Sequence, residues 1–300
     1  MSIVVGIAVA LVNYLIHVSY PVANDIAIPH CAAGRLLAGQ DPYRCSTHGM
    51  ASNPLTTVLV FVPLAGLSAA AAGALVSGAS IGLMAWALNR EGEPWRLLAL
   101  LSVPLVYAIQ ITQWAPLFLA ATYLGWLYPV VLLKPQLGMP VGILQFGRRR
   151  ALVTLALGLI TLLVLPDWPA RWWSQAHNYD GFLPLLVLPG PLLLLALRRW
   201  RTVPARWLLL LSLMPQRDWY DALLLWTIPR NARQTLALTV FSWLMWLPTL
   251  VWGRGALGEW ERPWQILTLY LPCLVFVLMQ PAVPHAPVGV PQPTPAHESP

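Results

Sequence analysis

Long apolar blocks alternate with short polar breaks along this chain, and the blocks set the expected architecture. Apolar runs cover 3–20, 68–88, 97–109, 116–133, 151–165, 183–197, 207–214, 222–229, 235–252 and 266–279. Segments 55–67 and 137–146 are apolar but ambiguous. A helix crosses the hydrocarbon core with about 20 apolar residues, and with somewhat fewer where the bilayer thins or neighbours bury it. The pattern predicts an all-α fold, a polytopic transmembrane bundle of about nine to eleven helices. Proline recurs inside or beside the runs, as at Pro104, Pro129, Pro140 and Pro248. Broken helices are tolerated where neighbours or a cavity satisfy the freed backbone groups. Either a cavity within the bundle or simple kinking is therefore expected. One membrane domain spans 1–280, with its first outer loop at 21–53. The proline-rich stretch 281–300 forms neither helix nor core and reads as a disordered cytoplasmic tail. Run 3–20 lacks a basic leading region and a small-x-small cleavage site, so it reads as a retained first helix.

Composition excludes a soluble domain. Charged residues make up 10% of the chain, against about 25% in soluble domains. The net charge of +7 is almost wholly arginine, and its placement points to topology rather than to nucleic acid. Three clusters separate apolar runs: Arg148-Arg149-Arg150; Arg198, Arg199, Arg201 and Arg206; and Arg230 with Arg233. By the positive-inside rule they face the cytoplasm. Segments 21–53, 166–182, 215–220 and 253–263 then lie on the other side, and these or their edges carry eight of the eleven acids. A multi-pass protein of the cytoplasmic membrane follows, with its chemistry on the extracytoplasmic face.

Trp168, Trp172, Trp173, Trp219, Trp252, Trp260 and Trp264 fall at predicted interfaces, as an aromatic belt does. The Trp172-Trp173 pair also offers faces on which a sugar could stack. Cys31 and Cys45 share the first outer loop and are either disulfide-bonded, in an oxidising compartment, or two free thiols. The spacings His30-Cys31 and Cys45-x-x-His48 are too sparse for zinc. No metal and no cofactor are expected.

Asp25 is the leading candidate for chemistry. It follows the first apolar run directly, near the lipid–water boundary, where burial and nearby charge tune a carboxylate. A helix N-cap is its ordinary alternative. Gly39 and Asp41-Pro42 read as turn punctuation, which makes Asp41 a cap or turn residue as readily as a ligand. Lys134 is the one lysine, flanked by apolar sequence. It reads either as a functional intramembrane charge or as a cytoplasmic topology charge. The cluster Pro215-Gln216-Arg217-Asp218-Trp219-Tyr220-Asp221 interrupts an apolar stretch. Arg217 either serves a site there or pairs structurally with Asp218 or Asp221.

The order of these elements resembles glycosyltransferase family 87. An Asp follows the first membrane helix, and a small-residue helix leads to Leu37-x-Gly39-x-Asp41-Pro42-Tyr43. Asn53-Pro54-Leu55, Pro63-Leu64-Ala65, Gln113 and Lys134-Pro135 follow in turn. The resemblance covers about the first half of the chain. It departs where the family often has Gly-Gln-x-Asn and this chain reads Thr112-Gln113-Trp114-Ala115. The resemblance implies a C-type glycosyltransferase fold and a polyprenyl-phosphate-sugar donor entering from membrane lipid. The sugar, mannose or arabinofuranose, passes with inversion to a lipid or glycan acceptor. Asp25 would be the general base, and Lys134, Arg217 and His177 would meet the donor phosphate. Asn24, Asp41, Tyr43 and Gln113 would bind substrate. A transporter or flippase for a lipid or small anion is the rival, since broken helices and buried charges suit it as well.

Overall fold

The computed structural model describes residues 1–20, 24–45, 53–90, 92–176, 181–253 and 258–280. The tail 281–300 and His177 lie outside them. The fold is 79% helical with no strand among the described residues. In chain order the helices are α1 (Ser2–Ser19), α2 (Ala27–Leu37), α3 (Leu55–Phe61), α4 (Ala69–Arg90), α5 (Val103–Ile111), α6 (Ala115–Ala121) and α7 (Pro135–Leu144). Then come α8 (Arg148–Val164), α9 (Trp168–Ala176), α10 (Val203–Leu213), α11 (Ala232–Trp252), α12 (Glu261–Gln265) and α13 (Leu271–Leu278), with 3₁₀ segments between many of them.

Three helices are long and apolar enough to cross a membrane: α1, α4, and α11 over Ala232–Val251. Two bent pairs raise the number to five among the described residues: Pro94–Leu101 with α5, at 57°, and α8 with α9, at 100°. The expected nine to eleven spans are thus corrected. Length is one reason. Eight residues at about 1.5 Å each reach about 12 Å, far short of a core about 30 Å thick, so 207–214 and 222–229 cannot cross alone. Proline is the other. Pro104, Pro116, Pro135 and Pro204 sit in the first turns of α5, α6, α7 and α10. A missing N–H costs nothing there, so proline starts new helices and divides the apolar runs.

Two of these helices, α1 and α8, point apolar side chains outward. Ile3, Val4, Ile7 and Leu11 of α1 are each more than half exposed, as are Leu152, Leu155, Leu159 and Leu163 of α8. A helix in water would bury such residues against a core. The centre of the bundle is formed by short elements instead. Every residue of α6 is buried, and the 3₁₀ segment Trp219–Thr227 is buried from Trp219 to Trp226.

Small residues dock α1 onto α4. A methyl group on Gly78 would lie 2.6 Å from the carbonyl oxygen of Gly6 and 2.8 Å from the Ala10 Cβ. A methyl group on Gly82 would lie 3.4 Å from Gly6 Cα, a looser approach, so the close meeting of the two backbones centres on Gly6 and Gly78. One contact closes the first predicted outer loop on itself, and two tie the loops to one another. Cys31 and Cys45 form a disulfide, which settles that alternative. Arg171, in the first turn of α9, reaches Asp41 at 3.3 Å. Phe182 and Gln216 exchange both backbone hydrogen bonds at 2.8 Å.

Gly78→Ala is expected to lower the thermal midpoint in detergent, since overpacking of this kind costs about 1–3 kcal/mol. Gly34 meets nothing within 4 Å, so Gly34→Ala is the matched control and should leave the midpoint unchanged or raise it. Equal midpoints for the two variants would mean that α1 is not held by this contact.

Candidate functional site

Asp25 occupies a turn that leaves its carboxylate available. The side chain of Asn24 accepts from the N–H of Ile26, the N-cap of α2, at 3.2 Å, and no side chain caps that helix. The backbone N–H of Asp25 donates to the carbonyl of Ile111 at 3.1 Å. Its carboxylate accepts a hydrogen bond from the side-chain amide of Gln113. The N-cap reading of Asp25 is therefore replaced.

Gln113 is in turn placed by an unusual backbone. Thr112, the C-cap of α5, has φ 56° and is the one non-glycine residue with positive φ among the described residues. A side chain in this region meets its own carbonyl, so something must hold it there. Helix α1 does so. The Asn13 amide donates to Ile109 O at 2.6 Å and to Thr112 Oγ1 at 3.0 Å, and His17 Nε2 lies 3.1 Å from the same hydroxyl. Sequence reasoning overlooked this arrangement. The available signal was two polar residues four apart on an apolar helix, which share one face.

A cavity of about 260 Å³ opens against the Asp25–Gln113 pair. Its polar wall includes Asp25, Asn53, Gln113, Lys134, Gln136 and Arg217. Ile28, Met139, Met214, Trp172 and Tyr220 supply apolar surface. The hydroxyls of Thr56 and Thr57 donate to the carbonyls of Leu132 and Leu133, which pins the backbone before Lys134. Lys134 Nζ bonds Asp221 Oδ1 at 2.8 Å and sits 4.7 Å from the Tyr220 ring centre. The other oxygen of Asp221 accepts the main-chain N–H of Arg217 at 2.9 Å. Lys134 therefore shares a cavity with Asp25, and its reading as a topology charge at the opposite end is corrected. The structural partner of Asp221 is Lys134 as much as Arg217.

Electrostatics in this cavity pull two ways. Burial pushes the pKa of Asp25 above the ordinary carboxylate value. Arg217, Lys134 and the Gln113 hydrogen bond all oppose that shift, and burial prevails. Asp218, one residue beyond Arg217, is also raised, to about 6. Burial is the main cause, with bonds from the Trp219 N–H and the Tyr107 hydroxyl working against it.

Three expected substrate ligands stand elsewhere. Asn24 packs on Gly73 and, besides its bond to the Ile26 N–H, points its amide toward Ala69 O at 3.5 Å. Asp41 caps the short 3₁₀ turn Pro42–Arg44 by accepting from Tyr43 N at 3.0 Å, and it pairs with Arg171. Tyr43 is buried beside it. None of the three lines the cavity: Asn24 and Asp41 are engaged in local turn bonds, and the Tyr43 hydroxyl is buried without a partner among the described residues. Gln113 does line it, but as the group that holds Asp25. The tryptophan pair divides: Trp172 lines the cavity, while Trp173 is 67% exposed, as a belt residue is. Among the described residues no cluster of His, Cys, Asp and Glu has a metal-holding arrangement.

The arrangement combines one ionisable carboxylate with two cations under a partly apolar wall. It can take a proton from a hydroxyl and receive an anion in the same space. No protein-family model, curated protein or solved structure matches the chain.

Removing one partner of a buried ion pair strands the other. Asp221→Leu is expected to destabilise the protein by about 3–5 kcal/mol, read as a lower thermal midpoint. Lys134→Met with Asp221→Leu should recover most of that loss. A double variant no more stable than Asp221→Leu would mean the pair is not the source of the effect.

Proposed function

We propose that this protein is a membrane glycosyltransferase of the C-type class, acting on the outer face of the cytoplasmic membrane. It moves a sugar, mannose or arabinofuranose, from a polyprenyl-phosphate donor to a glycolipid or cell-envelope glycan. The observation that carries this reading is the meeting of Asp25, Lys134 and Arg217 in one cavity. Four of the elements behind the resemblance to family 87 line it as well: Asp25, Asn53-Pro54, Gln113 and Lys134-Pro135. Thr112 adds support. It stands where that family often has glycine, and its φ of 56° lies in the region glycine favours. The Cys31–Cys45 disulfide supports an oxidising, outward-facing compartment for this end of the protein.

The residues divide the reaction between them. An alcohol is a weak nucleophile, so Asp25 takes the acceptor hydroxyl's proton as its oxygen bonds to the anomeric carbon. The bond from that carbon to the phosphate oxygen breaks on the opposite face, which inverts the centre. The departing polyprenyl phosphate carries the electron pair away. Arg217 meets its growing charge, with the ammonium of Lys134 beside it. Gln113 keeps the Asp25 carboxylate turned to the acceptor. Trp172 offers the transferred sugar a flat apolar face.

Transfer of radiolabelled mannose or arabinofuranose from polyprenyl-phosphate donors, in membranes with matched expression, tests this. Asp25→Asn is expected to lose about 100-fold or more of the rate while donor binding persists. Equal transfer by both proteins would remove Asp25 from the mechanism. Movement of a lipid substrate across proteoliposomes with no sugar transfer would favour the transporter.

The pH profile is a second check. The base works only when ionised, and its pKa lies above the ordinary carboxylate value. Transfer should therefore fall with decreasing pH earlier than for an unperturbed Asp. Arg217 lowers that pKa, so Arg217→Met should move the acid limb to higher pH as well as weaken donor binding. An acid limb that stays fixed in Arg217→Met would separate the titrating group from Asp25.

A further inference from the structure

Arg217 also lines a second cavity, of about 510 Å³. Its chemistry differs from the first. Asp218, Glu259 and Glu261 face it together with Arg217 and Arg262, so carboxylates outnumber cations three to two. That balance disfavours an anionic ligand such as the donor phosphate. The carboxylates form no metal-holding cluster among the described residues. Two further lining side chains carry buried donors without partners among the described residues: the Gln265 amide nitrogen and the Trp219 indole nitrogen. Gln265 is 1% exposed and Trp219 is 7% exposed. A buried polar group left unsatisfied costs stability, and two on residues that line one cavity give its wall hydrogen-bonding capacity that the described residues leave unused. The helix also widens to a π-helical turn over Ile266–Tyr270, directly after Gln265, a device frequent at functional sites.

A ligand that suits this lining is neutral, offers acceptors to Gln265, Trp219 and the arginines, and offers donors to the carboxylates. Hydroxyl groups do both, and the Trp219 ring adds a stacking face. We propose that this cavity holds the carbohydrate end of the acceptor, whose reacting hydroxyl passes Arg217 to reach Asp25. The acceptor is thus a neutral glycan or the neutral sugar headgroup of a glycolipid. Arg217 contacts both substrates and registers one against the other. This assignment rests on the glycosyltransferase reading, and it adds the acceptor's chemical class.

Saturation-transfer NMR on the full chain in nanodiscs tests it without turnover. The probes are neutral mannobiose and arabinobiose, with a glucuronate-containing disaccharide as the anionic control. The wild type should bind a neutral disaccharide and bind the glucuronate at least tenfold more weakly. Gln265→Met keeps the side chain's size and removes an unpartnered amide, so its thermal midpoint should be equal or higher. Its affinity for the neutral sugar should fall at least tenfold. Unchanged affinity in Gln265→Met, equal binding of the glucuronate, or no binding of either neutral sugar to wild type overturns the proposal. These outcomes leave the catalytic reading to the Asp25→Asn assay, which fails or succeeds separately.

Discussion

The buried carboxylate of Asp221 organises this site. It is fully buried, and it divides its two oxygens between the ammonium of Lys134 and the backbone of Arg217. A charge so placed must be paired, because burial without a partner costs several kcal/mol. That requirement draws together two segments 87 residues apart in sequence. It brings the chain before α7 and the polar break after α10 to the same cavity wall. The Tyr220 ring under the ammonium and the two threonine hydroxyls at Leu132 and Leu133 refine the same junction.

A second chain of constraints reaches Asp25 from the opposite direction. Close glycine packing seats α1 on α4. With α1 seated, Asn13 and His17 hold Thr112 in a left-handed turn that a threonine does not adopt unaided. That turn aims Gln113 at the Asp25 carboxylate. Helix α1, apolar and exposed on one side, thus sets the geometry of a polar site beyond its own end.

The two cavities meet at Arg217, and their contrast gives the site its order. One has cations beside a single carboxylate and an apolar wall. The other has an excess of carboxylates and unpartnered donors. In the proposed reaction the first suits a lipid phosphate and the second a hydroxylated acceptor. None of the arginines in the three clusters read as cytoplasmic lines either cavity.

Some of this was legible in the residues alone. Helical class follows from apolar blocks, since lipid leaves backbone groups no other partner than their own helix. Asp25 and Lys134 stood out by scarcity, because an ionisable residue in so apolar a chain is costly unless used, and Arg217 stood out by its place in a polar break. Hydropathy could not count the spans. It registers composition, whereas proline placement and three-dimensional packing decide whether a run is one helix or two short ones. Asp25 read as readily as a cap of α2 as a free carboxylate, and only the fold showed α2 without a side-chain cap and the Asp25 carboxylate bonded to Gln113. Asp41 and Tyr43 carried a suggestive motif, but Asp41 is engaged in a local turn and Tyr43 is buried beside it. Asn13, His17 and Gln265 gave little sign by themselves, since a polar side chain's role depends on partners far away in sequence. The chain determined which groups exist and that most must be sheltered from lipid. The tertiary structure decided which of them face one another, because charge pairing and hydrogen bonding act over a few ångströms whatever the separation along the chain.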